Sequence, residues 1–243
     1  MKIKIINPNT TWSMTRTIEK AAKASVSTDT EIEAVSPSMG PVSIESHGDE
    51  VLASVGVMDE IRKGEASGCD GYVLACFGDP GLHAARELAA GPVIGIAEGA
   101  FHAASFLGRS FAIVTTLERT LGRARDLTAE YGFDRACVAY RACEIPVLGL
   151  DEHPDTAYAA LKAECERTIA QTQPDSIVLG CAGMAGMCAQ LHEELGLPVI
   201  DGVAAATSLV EAMVRCGWHT SKRNEFAAPP AKQVVGLLSH FSR

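Results

Sequence analysis

The amino-acid sequence predicts an α/β fold of two similar lobes, in which parallel sheets are flanked by helices and the lobes are related by a pseudo-two-fold axis. Short apolar runs typical of buried strands alternate with amphipathic runs typical of helices, as in parallel sheets covered on both faces. In addition, one segment of the first half recurs without gaps in the second half. Because two copies are too few for a solenoid, we expect two lobes with an active site between them.

The predicted strands and helices follow one another in a regular order. Residues 3–6 form an apolar strand, a polar loop follows, and residues 11–24 have the spacing of an amphipathic helix. Asp79-Pro80 predicts a helix N-cap and a first-turn proline. The same order of strand and helix is predicted for residues 71–76 and 80–89, 110–116 and 117–131, and 176–181 and 184–195.

The internal repeat pairs residues 70–81 with residues 175–186. Six of the twelve pairs are identical, including Cys76 with Cys181 and the glycines two and five positions after each cysteine. The alternative interpretation is that apolar strands ending in small residues resemble one another in any α/β protein. We predict a first lobe of residues 1–98, completed by residues 207–243, and a second lobe of residues 99–206.

The composition argues against several classes of function. Of 243 residues, 47% are hydrophobic and 21% are charged, which is typical of a folded enzyme and not of a disordered chain. The net charge of -9 and the scattered basic residues argue against nucleic acid and anionic membranes as partners. No apolar run reaches the length of a membrane span or of a signal-peptide core, so we expect a cytoplasmic protein.

The eight cysteines are expected to be free thiols, because we place the chain in a reducing compartment. There is no Cys-x-x-Cys motif and no His-Glu-x-x-His motif, so we expect no metal site. Cys76 and Cys181 are set apart by the repeat. The other six are interpreted as small, unreactive packing residues: Cys69, Cys137, Cys143, Cys165, Cys188 and Cys216.

Cys76 and Cys181 each follow a predicted strand, where the next helix presents free backbone N–H groups. We expect this position to lower the thiol pKa from about 8.5 toward neutrality. Two such thiols on opposite faces of a substrate can remove a proton from one face and deliver one to the other, which inverts a stereocentre. The amides of Phe77, Gly78, Ala182 and Gly183 are candidates for stabilising the enolate oxygen that forms.

The chain also resembles the Asp/Glu/hydantoin racemase family, and within it the hydantoin and allantoin racemases. The resemblance rests on motifs such as Ile6-Asn-Pro-Asn-Thr, Ala75-Cys-Phe-Gly-Asp-Pro-Gly, Ile113-Val-Thr-Thr-Leu, Val178-Leu-Gly-Cys-Ala-Gly-Met and Pro198-Val-Ile-Asp-Gly-Val. It implies a two-lobed enzyme without a cofactor, with catalytic cysteines at Cys76 and Cys181 and with Asn7, Thr115 and Thr116 lining the pocket. It also implies a homo-oligomer. Glu98-Gly-Ala-Phe departs from the family pattern, which bears on substrate preference.

The residues after the two cysteines indicate the substrate. The amino-acid racemases of the family have polar pairs there, whereas this chain has Phe77-Gly78 and Ala182-Gly183. An apolar pocket lined by backbone suits a neutral cyclic ureide. The alternative is that a carboxylate is gripped from elsewhere. On a predicted loop, Ser43 and Glu45 are further candidates for substrate contact, together with His47, although a solvated loop explains them equally well.

The leading hypothesis is a cofactor-independent racemase of 5-monosubstituted hydantoins that uses two cysteines for proton transfer. Racemisation of allantoin, or of aspartate or glutamate, is the alternative within the same class. A cysteine-nucleophile isomerase or hydrolase and a non-catalytic small-molecule binder are the alternatives from other classes.

Overall fold

Two four-stranded parallel sheets form the framework of residues 1–242, which are the residues that the computed structural model describes. The strand orders are β2-β1-β3-β4 and β6-β5-β7-β8, so the two sheets have the same topology. This repetition confirms the predicted fold class. The strands are β1 Lys2–Ile6, β2 Glu31–Val35, β3 Gly71–Leu74, β4 Val93–Gly95, β5 Phe111–Thr115, β6 Cys137–Ala142, β7 Ser176–Leu179 and β8 Val199–Ile200.

Helices connect and cover the strands. Short 3-10 turns lie at residues 118–120, 182–187, 224–226 and 236–241. Within the described residues, no helix combines the length and the apolar character that crossing a bilayer requires. The α-helices are α1 Trp12–Ala24, α2 His47–Ala66, α3 Leu82–Leu88, α4 Ile96–Leu107, α5 Leu121–Glu130, α6 Gly149–Glu152, α7 Pro154–Thr172, α8 Cys188–Leu195 and α9 Gly202–Arg215.

The central strands are buried along their whole length. Every residue of β3 and β7 is buried, because helices cover both faces of each parallel sheet. One hydrophobic cluster contains residues of both sheets, among them Val73 in the first and Val178 in the second. The two lobes therefore share a core.

The helices α4 and α9 join the lobes by packing closely against each other. A Cβ atom added to Gly99 of α4 would lie 2.9 Å from the Cα of Ala206 in α9, and one added to Gly202 would lie 2.5 Å from the carbonyl oxygen of Ile96. In addition, α9 packs on β3 and β4 of the first sheet, and α4 packs on β7 and β8 of the second. The predicted lobe limits after residues 98 and 206 fall within these two helices.

The predicted cap of the helix after Cys76 is wrong. This helix, α3, begins at Leu82, with Gly81 in a left-handed conformation at φ 76° as its N-cap. The carboxylate of Asp79 turns away and instead accepts hydrogen bonds from the backbone N–H groups of Ala97 and Glu98 at the start of α4. A three-dimensional contact therefore replaces the local cap that the sequence suggests.

The C-terminal stretch lies against the first lobe. The Thr220 hydroxyl donates to the carbonyl of Gly91 at 2.8 Å, and the Arg62 guanidinium donates to the carbonyl of His240 at 2.6 Å. Phe241 is buried beneath Arg62. This stretch contains a 3-10 turn over Gly236–Phe241.

We expect the Gly99→Ala variant to be less stable than the parent protein by about 1–3 kcal/mol, because the added methyl group meets the backbone of α9. Gly122→Ala is the matched control, since a Cβ at this helical glycine has no neighbour within 4 Å. This control should be neutral or more stable by up to about 1 kcal/mol. Urea denaturation measures both, and equal midpoints for the two variants would contradict the close packing of α4 and α9.

Candidate active site

One cleft between the lobes contains both repeat-related cysteines. Cys76 and Cys181 each lie two residues beyond a central strand, β3 or β7, at the carboxyl end of its sheet. The cleft has an empty volume of about 870 Å³, including the part that is open to solvent. Of the predicted site residues, those that line it are Asn7, Glu45, Cys76, Phe77, Gly78, Thr115, Thr116, Cys181 and Ala182.

The two cysteines are held by matching backbone contacts. The amide of Ala75 donates to Ile6 in the first lobe, and the amide of Gly180 donates to Val114 in the second, both at 2.8 Å. These bonds extend each sheet by one residue past its strand. After the cysteines, the backbone amides two positions on, at Gly78 and Gly183, each lower the pKa of the respective thiol. The predicted pseudo-symmetry thus extends to the immediate surroundings of the thiols.

The expected lowering of the two thiol pKa values is wrong. Burial raises the pKa of Cys76 to about 12, although the amide of Gly78 lowers it in part. Burial likewise raises the pKa of Cys181 to about 11, against the opposing effect of the Gly183 amide. The loss of hydration destabilises the thiolate by more than one backbone amide stabilises it. A charge on Cys181 would also raise the pKa of Cys76, although by less than burial does.

The Asn-Pro-Asn-Thr loop after β1 forms the floor of the cleft. Asn7 is buried, and its side-chain N–H groups donate to the Asn9 Oδ1 at 2.9 Å and to the Thr15 hydroxyl at 3.0 Å. Asn9 also lines the cleft, and its amide nitrogen has a 3.6 Å contact to the Met14 sulfur. The amide of Asn7 therefore orders the loop, and that of Asn9 is the better placed to bind a ligand. Asn9 was not among the predicted site residues, although its place in the Asn-Pro-Asn-Thr motif could have identified it.

The threonine pair of the second lobe is buried beside Cys181. The hydroxyl of Thr115 donates to the carbonyl of Gly180 at 2.8 Å, immediately before the cysteine. A Cβ on Gly180 would lie 2.5 Å from the Cβ of Thr115, so only glycine fits there. Thr115 thus fixes the approach to Cys181, and Thr116 lines the cleft with it.

The loop that precedes α2 closes one side of the cleft. Glu45 Oε1 accepts a hydrogen bond from the backbone N–H of Val147 at 2.8 Å, which fastens the first-lobe loop to the second lobe. Ser43 lies in the same loop but is not among the lining residues, and Gly183 acts on the site only by lowering the pKa of the Cys181 thiol. One of the two carboxylate oxygens of Glu45 therefore already accepts a hydrogen bond from the protein backbone.

Three charged residues that line the cleft, Glu50, Arg119 and Arg123, were missed by the sequence analysis. Arg123 donates through Nη2 to the carbonyl of Gly78 at 2.8 Å, and its Nε lies 3.9 Å from the Glu50 carboxylate. Burial raises the pKa of Glu50. Arg119 also lines the cleft, as does His47, which was already a candidate for substrate contact. On helix surfaces such residues resemble ordinary solvent-facing charges, so no local signal distinguishes them.

The eight cysteines are free, as expected. Cys69, Cys137 and Cys165 are buried, in agreement with a packing role, but Cys216 at the end of α9 is exposed, so its predicted burial is wrong. In residues 1–242, no group of three or more His, Cys, Asp or Glu side chains is placed to hold a metal ion.

Comparison with known proteins places the chain in a family. The Asp/Glu/Hydantoin racemase model matches residues 3–210. A hydantoin racemase of Pseudomonas sp. (strain NS671) is 46% identical over all of this chain and 98% of its own length, and one of Rhizobium meliloti is 45% identical over 97% and 98%. The structure of an allantoin racemase from Klebsiella pneumoniae superposes with a TM-score of 0.97 at 48% identity, covering 98% of both chains.

The matched segment includes both strand-end cysteines and almost the whole α/β framework described above. The similarity to proteins named as racemases extends over nearly the full length of those proteins. The chain is therefore a racemase, and it belongs to the Asp/Glu/hydantoin racemase family.

Proposed function

We propose that this racemase inverts the C5 stereocentre of 5-monosubstituted hydantoins, with Cys76 and Cys181 as the two proton-transfer groups. The observation that carries the proposal is the placement of two thiols at equivalent strand ends of the two lobes, where both line one cleft. The names of the related proteins support the substrate class, since allantoin is itself a hydantoin with a ureido group at C5.

The chemistry requires one thiolate and one thiol. The thiolate takes the C5 proton, and the electron pair of the C–H bond moves into the adjacent ring carbonyl to form an enolate. The other sulfur gives its proton to the opposite face, so that the pair keeps one proton in total and emerges with the roles exchanged. The amides of Gly78 and Gly183 lower the pKa of the two thiols and so favour the charged form of whichever sulfur has lost its proton.

This use of the Gly78 and Gly183 amides changes the expected oxyanion site. Because these two N–H groups favour the charged form of the thiols, the proposed donors to the enolate are reduced to the amides of Phe77 and Ala182 and the side chain of Asn9. Phe77 and Ala182 also present apolar surface to the cleft. Such surroundings favour a neutral ring over an ammonium or a carboxylate.

Arg119 is the observation that favours the amino-acid alternative. Arg119 lines the cleft, and a guanidinium would suit a substrate carboxylate. Asp49 and Glu50 lie in the same region, and a charge on Arg119 lowers the pKa of Asp49, although less than the bonds from Ser46 and Glu45 do. We therefore propose that Asp49 and Glu50 offset the positive charge of Arg119. Neutral hydantoins then remain the preferred substrates.

Replacing either cysteine tests the mechanism. We expect Cys76→Ser and Cys181→Ser each to lower the rate of optical-rotation loss by roughly 100- to 10,000-fold, because each removes one proton-transfer group. Cys216→Ser is the control, since this exposed thiol lies outside the cleft. For the parent protein in deuterium oxide, NMR should show solvent deuterium at C5 of the product. Undiminished racemisation by either cleft variant would refute the two-cysteine proposal.

The preferred substrate is tested by a polarimetric comparison of 5-methyl-, 5-isobutyl-, 5-benzyl- and 5-ureidohydantoin with aspartate and glutamate. We expect turnover of the hydantoins and none of the amino acids, since the walls beside the thiols are apolar and backbone-lined. Faster racemisation of aspartate or glutamate than of every hydantoin would overturn the assignment in favour of the amino-acid alternative.

The raised thiol pKa values predict a particular pH dependence of thiol reactivity. In the ligand-free protein, alkylation of Cys76 and Cys181 by iodoacetamide should be slow near neutral pH and rise about tenfold per pH unit up to about pH 9, as the thiolate fraction grows. Peptide mass spectrometry resolves the two sites, and exposed Cys216 serves as the internal reference. A plateau by about pH 8 for either cleft thiol would contradict the effect of burial.

A further inference from the structure

Asp79 links the turn that carries Cys76 to the start of α4. Its backbone N–H donates to the carbonyl of Cys76 at 2.9 Å, and its own φ is +46°, a conformation that a non-glycine residue rarely adopts. The residue is buried, with 2% of its surface exposed. It accepts hydrogen bonds from the N–H of Ala97 at 3.1 Å, the N–H of Glu98 at 3.0 Å and the hydroxyl of Tyr131 at 3.0 Å.

The second lobe caps its equivalent helix in a different way. The helix α9 is capped by Asp201, the residue just before it, through bonds to the N–H groups of Val203 at 2.9 Å and Ala204 at 3.3 Å. Beyond the repeat of residues 70–81 and 175–186, Pro92-Val-Ile-Gly95 aligns with Pro198-Val-Ile-Asp201 at a spacing that is one residue longer. The first-lobe counterpart of Asp201 is therefore Gly95. A Cβ on Gly95 would lie 2.2 Å from the Asp79 carboxyl carbon. The carboxylate of Asp79 therefore occupies the space that a local capping residue would need.

The counterpart of Asp79 in the repeat is Met184, which cannot cap a helix. Its backbone makes the same turn, since the N–H of Met184 donates to the carbonyl of Cys181 at 3.0 Å. Its side chain is fully buried among apolar residues. The two cysteine turns thus have the same backbone bond, but only the turn of Cys76 is also bonded through a carboxylate to a helix N-terminus and to a tyrosine.

We propose that Asp79 is a positioning residue for Cys76, which fixes the Cys76 turn on the start of α4 and so sets the sulfur for proton transfer on one face of the substrate. Loss of the carboxylate would release this turn and leave the turn of Cys181 in place. The inference rests on the proposed two-cysteine function. Under it, the two thiols hold equivalent positions, but only the turn of Cys76 is anchored through a carboxylate.

The test compares Asp79→Asn with Asp201→Asn, which weakens the same kind of helix cap in the other lobe without touching a cysteine turn. Site-resolved alkylation by iodoacetamide is measured at about pH 8, above the pKa of about 7 to which burial raises Asp79. We expect Asp79→Asn to speed alkylation of Cys76 by about threefold or more relative to Cys181, since both the anchor and a nearby charge are lost. Asp201→Asn should leave this ratio unchanged.

A second readout uses hydantoin enantiomers deuterated at C5. We expect Asp79→Asn to slow racemisation roughly 10- to 100-fold, as for a misplaced catalytic group. The primary isotope effect should rise for only one enantiomer, the one that Cys76 deprotonates, because that step becomes rate-limiting. A general loss of stability would lower the rates from both enantiomers without changing the ratio of their isotope effects.

The outcomes separate the two proposals. If the parent protein does not racemise hydantoins, or Cys76→Ser is fully active, the proposed function fails, whereas the alkylation ratio still tests the anchor. If the parent racemises and Asp79→Asn matches Asp201→Asn in both readouts, the positioning role is wrong. Should Asp79→Asn fail to fold, Tyr131→Phe removes one donor while keeping the carboxylate. The same selective change at Cys76 is then expected, and an unchanged ratio overturns the inference.

Discussion

The close packing of α4 against α9 is the contact on which the rest of the structure depends. Gly99 and Gly202 allow the backbones of the two helices to approach at the boundary between the lobes. Each of these helices also packs on a sheet, so their contact fixes the sheets relative to each other. The carboxyl ends of β3 and β7 then meet at one cleft. A bulkier pair of helices would separate the two strand ends and with them the two thiols.

Enclosure of the thiols has opposing effects on the proposed chemistry. It holds Cys76 and Cys181 at the end of stiff, fully buried strands, which is a good support for groups that must be placed accurately. The same enclosure raises the pKa of both, so that thiolate is scarce in the ligand-free protein. The N–H groups of Gly78 and Gly183 offset part of this cost at either sulfur, in keeping with two groups that exchange roles in each turnover.

The pseudo-symmetry is strict in the backbone and relaxed in the side chains. Both lobes extend their central strand by one residue, and both turn back to the carbonyl of the cysteine three residues later. The capping carboxylate, however, comes from Asp201 in one lobe and from Asp79 in the other, since the buried start of each helix needs an acceptor but not a particular residue to provide it. Side-chain differences of this kind allow two similar lobes to treat the two faces of a substrate differently.

By itself, the sequence determined the lobed α/β architecture and singled out the two central thiols. Both follow from patterns that can be recognised in the sequence alone, namely apolar strand segments and a gapless repeat. The edge strands β2 and β6 were not singled out, since neither is a continuous apolar run: Glu31 and Glu33 interrupt β2, and Arg141 interrupts β6. Only the tertiary structure decided the pKa of the cysteines, the cap of α4 and the presence of Arg123 and Glu50 at the cleft. These properties depend on burial and on contacts between residues far apart in the chain, neither of which a local pattern contains.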